Sequence, residues 1–159
     1  MTIRLCLAAA CGLVIATPAF AEELGVSGTG YGMAETIIHP VAEGHLLMQM
    51  SAMYSDFQGD APDNPMSGMS GPCFGAMEMK GGVISGGGRC LYTDVDGDIV
   101  TMQYVPEGIG EGGAVTGVWT VSGGTGKWIT ATGGGSFSSL TDRETGENVN
   151  TVTGSVMMP

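Results

Sequence analysis

Positive charge is what this chain has least of: five Lys and Arg stand against 16 Asp and Glu, for a formal charge of −11. Nucleic acids and anionic lipid surfaces are held chiefly through clustered Lys and Arg, so neither is expected as a partner. No apolar run approaches the roughly 20 residues of a spanning helix, and no stretch shows sustained helical spacing. The 29 glycines would destabilise helices wherever they fell inside them. Gly-x-Ser-x-Gly, His-Glu-x-x-His and Cys-x-x-Cys are all missing, which leaves hydrolase chemistry unsupported and no cofactor expected.

What is present begins with a leader. "MTIRLCLAAACGLVIATPAFA" has one basic residue, Arg4, an apolar run from Leu5 to Ala16, and Ala19-Phe20-Ala21, the small-x-small pattern that signal peptidases cut. Cleavage is expected before Glu22, giving a periplasmic or secreted protein of residues 22–159 with no membrane insertion. Lipidation at Cys11 fits less well, because it would leave Leu13 to Ala16 as an apolar remnant. The leader carries Arg4 and no acid, so its loss moves the charge from −11 to −12 and leaves Lys80, Arg89, Lys127 and Arg143 as the cations. A chain of this length suits one domain. Gln58 to Pro72, "QGDAPDNPMSGMSGP", reads as a long loop within it. Oligomeric state is not legible.

Cys6 and Cys11 leave with the leader, so two cysteines remain, Cys73 and Cys90, in a compartment that permits disulfides. Between them lies "CFGAMEMKGGVISGGGRC". If Gly81-Gly82 is a two-residue hairpin turn, Lys80 faces Val83, and counting outward brings Cys73 opposite Cys90. A cross-strand disulfide follows, contributing ~3 kcal/mol through loop closure. A bulge in Gly86 to Gly88 would slip this register by one and still leave the cysteines neighbours. A metal site or catalytic thiol is the weaker reading, lacking Cys-x-x-Cys spacing and an adjacent histidine.

Elsewhere the period is two. "HLLMQMSAMY" puts Leu46, Met48, Met50, Ala52 and Tyr54 on one face. "RCLYTDVDGDIVTMQYV" reads as two strands folded at Asp96-Gly97, and "GAVTGVWTVSG" and "NVNTVTGSVMM" as further β-branched runs. The expected fold is all-β: an antiparallel closed barrel of about eight strands, with a β-sandwich as the alternative. Closure is favoured because it removes exposed edges.

"VSGGTGKWITATGGGSF", Val121 to Phe137, has the Gly-Lys of a phosphate loop, but Val121 stands where the first Gly belongs and Trp128 where Ser or Thr belongs. Its glycines instead suit a tight turn and a bent strand, with Trp128 packed inward. The segment Ser122 to Phe137 resembles the Gly-Gly-Thr-Gly-Lys-aromatic turn and following glycine pattern of dirigent proteins and allene oxide cyclase-like barrels, including small exported bacterial members. That resemblance implies an eight-stranded antiparallel barrel with an apolar interior. The family activities, cyclisation of a lipid epoxide or guidance of a radical coupling, are not carried over, because no acid, base or cysteine position of theirs aligns to a residue here.

Three constellations bear on function. Asp94, Asp96 and Asp98 alternate as calcium ligands do, yet Ile99 and Val105 stand where an EF-hand has Gly and Glu, and a plain turn is the preferred reading. Methionines crowd the first half, and Met66 and Met69 lie in the loop with a spacing found where thioethers hold Cu(I); interior packing is preferred. His39, Glu43 and His45 could meet for proton transfer, without a nucleophile to pair with. The expected function is binding of a small apolar ligand in a barrel mouth lined by Met48, Met50, Tyr54, Tyr104 and Trp119. The alternatives are an isomerase or cyclase using the same cavity, and a metal-binding or structural envelope protein. A continuous apolar cavity separates the first two from a filled barrel.

Overall fold

The computed structural model describes residues 21–158, so the expected leader, residues 1–21, and its cleavage site lie almost wholly outside the described residues. Eight strands follow one another: β1 (Glu22–Ala42), β2 (His45–Gly59), β3 (Gly71–Lys80), β4 (Val83–Thr93), β5 (Ile99–Ile109), β6 (Val115–Gly124), β7 (Thr132–Thr141) and β8 (Glu147–Met158). Each pairs antiparallel with its neighbour, and β8 returns to β1 from Glu22↔Met158 to Met33↔Glu147, closing the barrel. Closure excludes the sandwich. Among the described residues no helix is long and apolar enough to cross a membrane.

The two ends of the barrel differ. The β2–β3, β4–β5 and β6–β7 connections gather at one end and fill it. Here Trp128, in the turn Gly126–Trp128, is wholly buried together with Val26, Val100 and Val156. The loop after β2 turns inward: Met66 and Met69 are 3% and 1% exposed and belong to the same apolar cluster. These two methionines therefore plug the barrel, and the apolar packing accounts for them without a metal.

At the opposite end lie the β1–β2, β3–β4, β5–β6 and β7–β8 turns. β1 leaves β8 after Met33 but stays paired with β2 as far as Ala42↔His45. β4 pairs with β5 only over Gly88 to Thr93, while its ladder with β3 runs on to Lys80↔Val83. The outer parts of β1 to β4 thus run on as a four-stranded wall, paired with neither β8 nor the outer part of β5, which itself stays paired with β6 out to Ile109↔Val115. In β2 the alternation is kept, with Leu46, Met48, Met50 and Ala52 half-buried and Leu47, Gln49, Ser51 and Met53 exposed.

The β3–β4 register is the one counted from the turn. Gly81 and Gly82 both take positive φ, 58° and 81°, which a type I′ turn requires and other residues resist. Every pair from Lys80↔Val83 to Cys73↔Cys90 is in step, and no bulge intervenes at Gly86 to Gly88. Cys73 and Cys90 form a disulfide with Cα atoms 4.0 Å apart.

Candidate functional site

Between the filled end and the turns lies a cavity of about 480 Å3. Met48 and Met50 from β2, Tyr54 deeper on the same strand, Tyr104 on β5 and Trp119 on β6 all stand on its wall. Sequence reading did not reach Tyr92, Met102, Phe137, Asn148 and Asn150, which also line it. Parity was the available signal: Tyr92 is two residues from Cys90, and Asn148 and Asn150 share a face with Val152, all inward in a period-two strand.

Aromatic rings frame the deep half. Tyr54 and Tyr92 meet edge-on with centroids 6.0 Å apart, as do Tyr104 and Phe137. Tyr104 has room because glycines lie beneath it. Gly75 faces Gly88 and Gly88 faces Tyr104 along one row, and a Cβ on either glycine would strike the tyrosine hydroxyl. The Trp119 indole donates to the Thr153 carbonyl at 3.2 Å, which fixes the ring against β8.

All three cavity tyrosines are held protonated. Burial raises the Tyr54 hydroxyl, a rise that Ser139 and Asn150 beside it partly offset. Burial pushes Tyr92 well above its ordinary value, reinforced by Tyr54 and Tyr104, and pushes Tyr104 up to about 12. These phenols are thus neutral donors at physiological pH, unsuited to act as bases. The Tyr54 hydroxyl donates to Asn148 Oδ1 at 2.7 Å, and the Tyr92 hydroxyl lies 3.0 Å from Cys73 Sγ. The disulfide itself is part of the wall.

The other candidate residues are engaged elsewhere. Asp94 to Asp98 form the β4–β5 turn at the filled end, away from the cavity mouth. Asp94 Oδ1 accepts the amides of Asp96 and Asp98, both at 2.9 Å, while Oδ2 accepts the Trp128 indole at 2.8 Å and pairs with Lys127 Nζ at 2.9 Å. Lys127 also pairs with Asp96 at 2.5 Å, and Asp98 Oδ2 accepts the Lys127 amide at 3.3 Å. The Gly-Lys stretch is therefore the counterpart of the aspartate turn, and the two lock each other over the barrel end. His45 does not meet Glu43: its Nε2 lies 2.6 Å from Glu78 on β3, while His39 is exposed opposite Leu47. The proposed His–Glu43 arrangement is not formed, because the β2–β3 ladder places Glu78 next to His45 first.

A closed eight-stranded antiparallel barrel, filled at one end and hollow at the other, is the class that fold and site define. Neither a family model nor a curated protein sequence matches the chain. Solved structures that share its fold include two dirigent proteins. The pterocarpan synthase dirigent protein GePTS1 is similar over 92% of this chain and 96% of its own, at 13% identity and a TM-score of 0.52. PsPTS1, also a pterocarpan synthase dirigent protein, is similar over 88% of this chain and 97% of its own, at 11% identity and a TM-score of 0.54. The chain has the dirigent-like barrel fold, in agreement with the resemblance of Ser122 to Phe137.

Proposed function

We propose that this barrel binds a small apolar molecule in its cavity, in an export compartment. The observation that carries the reading is the volume of about 480 Å3 behind one open end, within the ~300–1,000 Å3 usual for small-ligand sites. A barrel built only as a scaffold would fill this space with side chains, as the other end does. The lining suits an apolar body: methionines adapt to irregular shapes, and tyrosine, tryptophan and phenylalanine rings offer flat surfaces with few polar demands. The protonated tyrosines favour holding over proton abstraction. The disulfide supports assignment to an oxidising compartment, as the leader does.

Native mass spectrometry of protein purified from its own envelope fraction tests both parts. The denatured mass is expected to start at Glu22 and carry the disulfide. The native mass is expected to show an organic adduct that denaturation releases. A chain retaining residues 1–21 would overturn the export assignment.

A further inference from the structure

The two long walls of the cavity are chemically unlike. Along β2 to β4 the inward side chains are apolar, among them Met48, Met50, Met77 and Ile84. β7 and β8 contribute Phe137 and Val152, and beyond them a polar run: Ser139, Thr141, Asn148 and Asn150. Asn148 is fully used. Its amide donates to Ser139 Oγ at 2.9 Å, Thr141 Oγ1 at 2.8 Å and the Leu140 carbonyl at 3.2 Å, and its Oδ1 accepts from Tyr54. Asn150, one step along the same face, is different: its Oδ1 is buried and has no hydrogen-bond partner among the described residues. Neither nearby phenol supplies one, since Tyr54 donates to Asn148 and Tyr92 lies against the Cys73 sulfur. A buried acceptor left without a donor costs about 1–3 kcal/mol, and native folds rarely keep one without a use for it.

The charged groups of the cavity are Glu35, Asp142 and Arg143, and all three are exposed at its mouth. A charge carried deeper would meet no opposite partner, and burying an unpaired charge is strongly unfavourable. This deepens the binding reading and rests on it: we propose that the ligand is a neutral amphipathic molecule whose hydroxyl or N–H donates to Asn150 Oδ1, brought to the cavity surface by a turn of the amide, while its apolar body lies on the methionine wall. A single water offers the same donor chemistry. A separate void of about 20 Å3, walled by Asn150 and mostly apolar neighbours such as Phe57, Met66 and Val152, has room for one. The two sources predict different binding selectivity.

The test uses two isomeric probes, 1-octanol, a donor, and 1-methoxyheptane, an acceptor only. Each is titrated into the mature, disulfide-intact protein, with Trp119 on the cavity wall as fluorescent reporter. Wild type is expected to bind the alcohol about five- to tenfold more tightly, the worth of one neutral hydrogen bond. Asn150→Leu and Asn150→Ser are expected to abolish that preference with ether affinity retained, and Asn150→Leu to unfold no earlier than wild type. Equal affinities in wild type, the result if water already satisfies Asn150, would overturn the proposal and leave the cavity reading standing. A preference that survives both substitutions would overturn it as well. If neither probe binds wild type, the cavity reading falls and takes this inference with it.

Discussion

Asp94 is buried with a carboxylate that four donors share. Burial alone pushes its carboxyl up, but hydrogen bonds from Trp128, Lys127 and the amides of Asp98 and Asp96 outweigh this and lower it from 3.8 to about 2. A carboxyl depressed in the folded state stabilises above its unfolded value, and that contribution fades as pH falls from about 4 towards 2. Thermal melts across this window are expected to show Asp94→Asn losing less stability to acid than wild type. At neutral pH, Asp94→Ala is expected to cost about 3 kcal/mol by chemical denaturation, because it leaves the Trp128 indole and Lys127 without their buried acceptor. Gly88 makes a second prediction. A methyl group there would strike Tyr104 and the Phe74 carbonyl, so Gly88→Ala is expected to destabilise by about 2 kcal/mol and to displace the Tyr104 ring, read as altered near-ultraviolet circular dichroism. Of these residues the sequence made Trp128 legible as buried, but not its bond to Asp94. That bond joins turns 34 positions apart, and no local pattern encodes it.

At the scale of elements, the β3–β4 hairpin was the most legible part of the chain. A two-glycine turn fixes a register, and a fixed register carries Cys73 to Cys90 by counting alone. The bridge spans 17 positions, and replacing both cysteines with serine is expected to cost about 3 kcal/mol, measured by denaturant midpoint. β2 was equally plain, since its apolar residues alternate. β1 was not: "ELGVSGTGYGMAETIIHPVA" mixes glycines, polar residues and a proline with no clean period. Its strand state depends on two partners, β8 from Glu22 to Met33 and β2 from Gly28 to Ala42. Pro40 is tolerated because β8 pairing has ended by Met33, so one side of the strand there is a free edge. The loop from Gln58 was read as a loop, yet its methionines were not seen as a plug, because burial of a loop depends on the end of the barrel it happens to cover.

For the whole molecule, antiparallel closure followed from short alternating runs, turn spacing and the likeness of Ser122 to Phe137 to dirigent-type barrels. Hollowness did not follow, because side-chain parity says which residues point inward and not whether they meet. Met48, Met50, Tyr54, Tyr104 and Trp119 stand around open space where the β4–β5 and β8–β1 ladders have stopped, at Gly88↔Tyr104 and Met33↔Glu147, so that no backbone pairing ties the outer parts of β1 to β4 to the opposite wall. A binding barrel requires that this space admit a ligand. The most direct test is titration of wild type and Ala52→Phe with the apolar fluorophore N-phenyl-1-naphthylamine; Ala52 lines the cavity, and a phenyl group there would enter it. Saturable, one-to-one enhancement in wild type that is lost in a folded Ala52→Phe is the predicted result. No saturable enhancement in wild type, or equal enhancement in both proteins, would contradict a ligand-binding barrel.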